Sequence, residues 1–268
     1  MVAAQDKTLS AWREQVPTRV KIAGDGPPLV FFHGAYGLQW DGFLDSLAQS
    51  HTVYAPEFPG TTPGAPDDHK PIDNLWDLVL YYYELFDALG LESPAVVGHS
   101  FGGMVAAEVA ATNPGRVGKL VLIDAIGLWR EDQPVRNWMA IPMAELPRAL
   151  FADLNNPLAK MMAAGAALAG SGNEAVLDAQ IQIMWSLACT AKFVWPIPDK
   201  GLQKRLHRIT APTLILWGKQ DGIAPPVYAE EFAGRIPNAR VQLIENAGHL
   251  PQVEQPAAVT QAISDFLA

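Results

Sequence analysis

The residues Gly98-His99-Ser100-Phe101-Gly102 place a serine between two glycines in the order G-x-S-x-G. The apolar run 95–97 before them predicts a strand, and the small apolar segment that starts at Phe101 predicts a helix. On such a tight turn the serine hydroxyl projects from the sheet edge, and crowding leaves no room for side chains at the glycines. The strand–helix context weakens the alternative of a chance match in a chain with 22 glycines. Ser100 is therefore predicted to act as a nucleophile.

A serine hydroxyl needs a neighbouring base to become a good nucleophile. His249 lies in Gly248-His249-Leu250-Pro251, directly after a predicted strand at 241–244. The carboxyl ends of parallel strands are where active sites of such sheets assemble, so His249 is the predicted base. The other five histidines are expected to be structural or solvated: His33, His51, His69, His99 and His207.

A third residue must orient the imidazole and stabilise its charged form. Asp221 follows a predicted strand at 213–217 in the turn Gly218-Lys219-Gln220-Asp221-Gly222. The order Ser100, Asp221, His249 is the chain order of strand–turn–helix serine hydrolases. Asp124 is the rival, because it ends another predicted strand at the same sheet edge. We favour Asp221 and leave open whether Asp124 assists or replaces it.

Negative charge that develops on a carbonyl oxygen requires two backbone N–H groups aimed at one point. Phe101, the residue after the nucleophile, is predicted to supply one of them from the start of its helix. Ala35, which follows His33-Gly34 at the end of a predicted strand, is predicted to supply the other.

The elements that must position these residues follow an alternation of short apolar runs with helical patterns. This alternation is typical of an α/β fold, a mostly parallel sheet covered by helices. Strands are predicted at 29–32, 52–55, 95–97, 119–124, 213–217 and 241–244. Helices are predicted at 72–89, 101–112 and 256–267.

The alternation stops between residues 127 and 207, where Trp and Met are concentrated. We interpret this segment as a helical cap inserted into a core domain of residues 1–126 and 208–268, although length alone would also allow two small domains. The apolar side chains of the cap could pack on the core or form a roof over a substrate pocket. Four side chains are predicted to contact substrate: Tyr36, Trp129, Trp138 and Leu250.

Composition narrows the function classes. With 49% hydrophobic and 18% charged residues the 268-residue chain is typical of a globular protein, and its net charge of −9 argues against nucleic acid as a partner. The single cysteine, Cys189, excludes an intrachain disulfide and is predicted to be a small buried side chain. Residues 1–10 lack a signal-peptide pattern, and the Ala-rich stretch 161–170 is too short to span a membrane. We expect a cytoplasmic protein.

With these residues assembled, the sequence resembles the α/β-hydrolase superfamily, specifically its serine-nucleophile members with a cap domain, such as carboxylesterases. Four motifs match in order, namely His33-Gly34, Gly98–Gly102, Gly218–Gly222 and Gly248–Pro251. The resemblance implies an eight-stranded sheet, with two further strands between residues 9 and 22 and the cap after strand six. It implies no organic cofactor and no metal.

The superfamily hosts many reactions, so the fold does not name the substrate. Relatives similar to haloalkane dehalogenases or epoxide hydrolases carry aspartate at the position of Ser100. Carbon–carbon bond hydrolases usually show Ser-Met-Gly-Gly, where this chain has Ser100-Phe101-Gly102-Gly103. Hydroxynitrile lyases usually place a hydroxyl residue where Ala35 stands.

These comparisons favour a carboxylesterase that cleaves small hydrophobic esters. The alternatives that stay open are a carbon–carbon hydrolase acting on ring-cleavage diketones and a ligand-binding receptor that turns over slowly. Acyl and alcohol preference, stereoselectivity and assembly into homo-oligomers are left open by the sequence.

Overall fold

The computed structural model of the protein describes residues 4–168 and 172–268. The expected domain ranges and the two stretches 1–10 and 161–170 therefore extend partly outside the described residues. Within the described part, no helix combines the length and the apolar composition that crossing a membrane requires.

The described chain forms one eight-stranded sheet in the order β1-β2-β4-β3-β5-β6-β7-β8. β1 pairs antiparallel with β2, and β2 with β4, while the remaining pairs are parallel. The strands are β1 Gln5–Ala11, β2 Val16–Ala23, β3 Pro28–Phe32, β4 Thr52–Pro56, β5 Ala95–His99, β6 Lys119–Ile123, β7 Thr213–Gly218 and β8 Ala239–Ile244. This sheet confirms the predicted α/β fold, and the six strands read from apolar runs are present with ends shifted by one or two residues.

The expected range of the first two strands, residues 9–22, was too narrow. Together they run from Gln5 to Ala23 as an antiparallel pair that matches Gln5 with Ile22 and Ala11 with Val16. β1 is mostly exposed and polar, so hydrophobicity does not mark its start.

Helices cover both faces of the sheet. α1 and α9 pack on one face, and α2, α3 and α7 pack on the other, each face with its own buried cluster of apolar side chains. The described α-helices are α1 Gly42–Leu47, α2 Leu75–Leu89, α3 Phe101–Thr112, α4 Leu146–Leu150, α5 Pro157–Ala167, α6 Glu174–Ala191, α7 Val227–Ala233, α8 Pro251–Glu254 and α9 Pro256–Leu267.

The predicted start of α2 at residue 72 was wrong. The helix begins at Leu75 because Asn74 is its N-cap, whose side chain accepts hydrogen bonds from the backbone of Trp76 and Asp77. Ile72 is instead a fully buried residue of the preceding turn. The predicted stop at Gly90 is confirmed, since this glycine adopts the left-handed conformation with φ of 71°.

The segment between β6 and β7 contains α4, α5 and α6 and, among its described residues, no strand. It is tied to the rest of the fold by Gln182, which donates to the carbonyl of Thr61 over 2.8 Å, and by Lys192, which donates to the carbonyl of Ile72. The cap boundaries at residues 127 and 207 remain predictions.

We predict that Gly102→Ala destabilises the protein by about 1–3 kcal/mol or more, the usual cost of overpacking. A Cβ atom at Gly102 would lie 2.1 Å from the carbonyl oxygen of Phe32, which is backbone and cannot move aside. The matched control is Gly165→Ala in α5, where nothing lies within 4 Å and where alanine should stabilise the helix by up to about 1 kcal/mol. Denaturant unfolding of both variants checks this, and equal effects would contradict it.

Candidate active site

The turn between β5 and α3 holds Ser100 in a backbone conformation that few side-chain-bearing residues adopt, with φ of 54° and ψ of −115°. Its N–H donates to the carbonyl of Ile123 over 2.9 Å, which fixes the turn against β6. A Cβ atom at Gly98 would lie 2.5 Å from the carbonyl oxygen of Gly102. The turn therefore needs glycine on both sides of the serine, and it stores strain at one residue, as functional sites often do.

Three side chains from three loops meet at this edge of the sheet. The Nε2 atom of His249 lies 2.8 Å from the Oγ atom of Ser100, and its Nδ1 atom lies 2.7 Å from Oδ2 of Asp221. All three residues are buried. Because a neutral imidazole has one donor and one acceptor nitrogen, Nδ1–H donates to the carboxylate and Nε2 accepts from the serine hydroxyl. Side chains hydrogen-bonded in this order can act as a nucleophile, a base and an orienting acid.

Asp221 is held in place by its own turn. Its Oδ1 atom accepts hydrogen bonds from the backbone N–H groups of Ile223 at 2.7 Å and Ala224 at 3.0 Å. These two bonds leave Oδ2 for the imidazole of His249 and fix the direction from which it approaches.

The loop that carries His249 is fastened at three points. The N–H of His249 donates to the carbonyl of Leu150 over 2.8 Å, and the carbonyl of His249 accepts from Nε2 of His99 over 2.7 Å. Glu254 accepts from the N–H of Gly248 and, through its other oxygen, from the backbone of Ala152. Sequence reasoning did not identify Leu150 or Glu254, because Leu150 and Ala152 lie about 100 residues from their partners and no motif surrounds them.

The loop after β3 lies directly beside Ser100. A Cβ atom on Gly34 would be 3.6 Å from Cβ of Ser100. Within the part of the chain that the structure describes, the N–H groups of Ala35 and Phe101 donate no hydrogen bond. His33 shapes this loop, because its Nε2 accepts from the N–H of Phe58 over 2.9 Å while its Nδ1 donates to the carbonyl of Gly34.

Two further histidines therefore serve as neutral structural links, as expected from their places at strand ends. Burial, together with the nearby His249, lowers the pKa of His99 to about 3. Burial also lowers the pKa of His33. Both rings stay uncharged at neutral pH, so they add hydrogen bonds but no positive charge to the site.

Asp124, the rival acid, is placed behind Asp221 and makes no hydrogen bond to His249. Its Oδ1 atom accepts from the N–H of Gly218 over 2.9 Å, at the start of the turn that carries Asp221. Asp221 is thus the acid that the structure brings to the imidazole.

Two cavities adjoin the serine. The smaller, of about 20 Å³, lies at Ser100 and His249, and Trp138 is part of its wall. The larger, of about 330 Å³, is mostly apolar, and Tyr36, His99 and Leu150 line both. The wall of the larger cavity also includes Leu158, Met161, Met162, Ile183, Leu250 and Gln252.

Three of the four residues predicted to contact substrate therefore lie at these cavities, namely Tyr36, Trp138 and Leu250. The structure does not bring Trp129 there. Its indole N–H donates to the carboxylate of Glu131 over 2.9 Å, near the surface, and it lines neither cavity. Tyr36 and Trp138 each carry a buried polar atom that lacks a hydrogen-bond partner among the described residues.

Among the described residues, the cluster with atoms close enough to share a metal ion is Asp124, Asp221 and His249, whose donor atoms lie within 4.8 Å of one another. The 2.7 Å hydrogen bond between His249 and Asp221 already uses two of the atoms that would bind the ion. We interpret the cluster as a hydrogen-bonded acid–base group.

Cys189 is buried, as predicted, and burial raises its pKa to about 11, so its thiol stays protonated.

Comparison with known proteins identifies the family of this fold. Residues 27–256 match the model of a family described as having the alpha/beta hydrolase fold. The chain is 31% identical over 196 residues to a 2-hydroxy-6-oxononadienedioate/2-hydroxy-6-oxononatrienedioate hydrolase of Dechloromonas aromatica, covering 68% of this chain and 65% of that protein. It is 24% identical to a pimeloyl-[acyl-carrier protein] methyl ester esterase of Vibrio campbellii, covering 91% of this chain and 96% of that protein. The crystal structure of naproxen esterase from Bacillus subtilis superposes with a TM-score of 0.76 at 21% identity, covering 100% of this chain and 92% of that one.

We predict that His99→Gln reduces the loss of stability at low pH. The pKa of His99 is about 3 in the folded protein and near its ordinary value of 6.5 when unfolded. Falling pH therefore protonates the unfolded chain first, and stability that is fully present above pH 6.5 is lost between there and about pH 3. Glutamine keeps an N–H donor for the carbonyl of His249 and does not titrate.

The measurement is the free energy of unfolding of wild type and variant at a series of pH values. The matched control is His207→Gln, which changes an exposed histidine and should leave the slope unchanged. Parallel curves for wild type and His99→Gln would show that the prediction is wrong.

Proposed function

The chain belongs to the α/β-hydrolase family, and from that premise we propose that it is a serine hydrolase that cleaves small, neutral, hydrophobic carboxylic esters through an acyl-enzyme intermediate. The observation that carries the proposal is the hydrogen-bonded row Ser100, His249 and Asp221. We assign these residues the roles of nucleophile, general base and orienting acid.

In the first step His249 Nε2 takes the proton of Ser100 as Oγ attacks the ester carbonyl carbon. The carbonyl oxygen becomes negative and is stabilised by the N–H groups of Ala35 and Phe101, which have no other acceptor in the described structure. The imidazolium then gives its proton to the departing alcohol, and the acyl group remains on Ser100. Asp221 stabilises the imidazolium throughout.

In the second step His249 removes a proton from water, whose oxygen attacks the acyl carbonyl. The same two N–H groups stabilise the second tetrahedral intermediate, and its collapse releases the carboxylic acid as His249 returns the proton to Ser100. The cycle uses one water and regenerates every group, and it requires no metal or organic cofactor.

The charge of the larger cavity favours a neutral ester over a ring-cleavage product. The name of the Dechloromonas aromatica relative describes a dienedioate, which carries two carboxylates. Among the described residues that line either cavity there is no Lys or Arg, whereas Asp41 lines the larger one. Burial lowers the pKa of His33 and His99, so these two lining residues offer no positive charge either. A buried carboxylate without a cation is costly, so a dicarboxylate fits this cavity poorly.

The segment 127–207 serves as the cap in this proposal. Its helices α5 and α6 contribute Leu158, Met162 and Ile183 to the wall of the larger cavity, and Trp138 closes the smaller one. Flexible Met side chains suit a wall that must fit an apolar group of variable shape.

Two alternative functions can each be distinguished from ester hydrolysis by a specific test. Carbon–carbon bond hydrolysis is favoured by the Dechloromonas aromatica relative and would appear as turnover of a dienoate ring-cleavage product with negligible ester hydrolysis. Fast multiple turnover of any substrate would exclude a receptor that turns over slowly.

We predict that Ser100→Ala lowers the turnover of p-nitrophenyl esters by about 10⁶, because the variant lacks the atom that forms the acyl-enzyme. Steady-state hydrolysis of esters from acetate to decanoate measures this. The matched control is Ser50→Ala, an exposed serine, which should keep wild-type turnover. If folded wild type hydrolyses none of these esters, simple esterase function is wrong and dienoates should be tested next.

We predict that Ile183→Trp shifts the preference from long to short acyl chains. Ile183 lines the larger cavity, and a bulkier ring there excludes part of a long chain. Losing two buried methylenes at about 0.8 kcal/mol each lowers kcat/KM for decanoate roughly tenfold relative to acetate. The control is Ile181→Trp on the same helix, where the side chain is 54% exposed. An equal loss for acetate and decanoate would place the acyl chain elsewhere.

A further inference from the structure

Asp124 is a buried carboxyl group that the proposed reaction does not use. It follows β6 directly, has a positive φ of 44°, and is 0% exposed. Its N–H donates to the carbonyl of Leu216 over 3.0 Å, so its main chain is fixed between β6 and β7. A fully buried acid without a cationic partner is rare, because burial of its charge is unfavourable.

The two oxygens of Asp124 have different surroundings. Oδ1 accepts from the N–H of Gly218, whereas Oδ2 is buried and lacks a hydrogen-bond partner among the described residues. Carboxylate oxygens of Asp124 and Asp221 and a ring nitrogen of His249 all lie within 4.8 Å of one another. The unpartnered Oδ2 thus belongs to a carboxyl group that lies beside Asp221, the residue that orients His249 in the proposed reaction.

The surroundings favour the neutral form of Asp124. Burial raises its pKa well above the ordinary value, the negative charge of Asp221 raises it further, and Glu254 of α8 adds to this effect. The N–H of Gly218 acts in the opposite direction. Among the described residues no Lys or Arg forms an ion pair with it. Of two carboxyl groups this close, one retains its proton, and we infer that it is Asp124, which accepts one hydrogen bond in the described structure where Asp221 accepts three.

We propose that Asp124 is a positioning residue, a neutral carboxyl group whose Oδ2 donates its proton toward Asp221 and holds that carboxylate against His249. The proposal rests on the proposed function, in which Asp221 orients the base. Oδ1 accepts a hydrogen bond from an amide, whereas Oδ2 accepts none from the described residues. The proton therefore resides on Oδ2. Asp221 already receives two amide bonds and the imidazole, and a carboxylate has about four acceptor sites, so it has room for this fourth donor.

Ionisation of Asp124 would reverse its effect. Two buried like charges would repel each other, and Asp221, which lies on a turn, would be pushed away from Nδ1 of His249. Wild-type kcat/KM should therefore decline as rising pH removes the proton from Asp124.

The experiment compares Asp124→Asn with Asp124→Leu in the full-length protein. Asparagine keeps an acceptor for Gly218 and an N–H donor for Asp221 and does not ionise, whereas leucine has similar size and removes both. We expect Asp124→Leu to lose about 10–100-fold in kcat/KM for p-nitrophenyl butyrate, as for other residues that orient an active-site group. Asp124→Asn should retain at least tenfold more than Asp124→Leu, and its pH profile should lack the alkaline decline of wild type. Asp25→Asn, the same substitution at an exposed site, should keep wild-type kcat/KM.

Two measurements without substrate separate failure of this proposal from failure of the esterase proposal. Infrared difference spectra of wild type minus Asp124→Asn at pH 7 should show the carbonyl band of a protonated carboxylic acid. The downfield NMR resonance of the His249 Nδ1 proton should persist in Asp124→Asn and weaken in folded Asp124→Leu. An absent infrared band, or an alkaline decline that is the same in wild type and Asp124→Asn, overturns the proposal. Asp124 would then only tie Gly218 to the end of β6.

Discussion

A hydrogen bond of 2.8 Å joins Ser100 to His249, two residues that lie 149 positions apart in the chain. Holding two such distant groups at hydrogen-bond length requires rigid supports on both sides. Ser100 is fixed by the strained turn between β5 and α3 and by its N–H bond to Ile123 on β6. His249 is fixed by its N–H bond to Leu150 and by the ring of His99, the residue next to the serine. The parallel strands bring these supports to one edge, so the order of the sheet decides which side chains meet.

The charges around His249 are distributed unevenly. Behind the ring lie the carboxyl groups of Asp221 and Asp124, with Glu254 bonded to the loop that carries the histidine. In front of it lie cavities lined by apolar side chains and by two histidines whose pKa burial lowers. Positive charge on the imidazole is therefore stabilised from behind, where the carboxylate of Asp221 lies. Among their described lining residues the cavities in front contain no Lys or Arg, and in the proposed reaction this division suits a base that gains a proton while it acts on an uncharged substrate.

The sequence predicted the parts of the site that short-range rules determine. Gly98 and Gly102 mark the serine turn because backbone atoms crowd it, and Gly90 marks the end of α2 because its φ is positive. Interactions between distant segments left no such mark. The contact of Glu254 with Gly248 and Ala152 depends on how α8 packs, and no periodic pattern reports it. Trp129 is a second example. The concentration of Trp and Met in its segment predicted a contact with substrate, but its hydrogen bond to Glu131 holds it near the surface.

The two cavities constrain how a substrate would reach Ser100. The space at Ser100, about 20 Å³, is enough for about one water and is far smaller than the neighbouring cavity of about 330 Å³. Tyr36, His99 and Leu150 line both spaces and so stand between them. The ring of His99 and the backbone of Leu150 cannot shift far, because each holds the main chain of His249. The side chains of Tyr36 and Leu150 can change rotamer without breaking those bonds. Substrate entry by side-chain movement would therefore leave His249 in place, whereas displacement of α4 would move the proposed base away from Ser100.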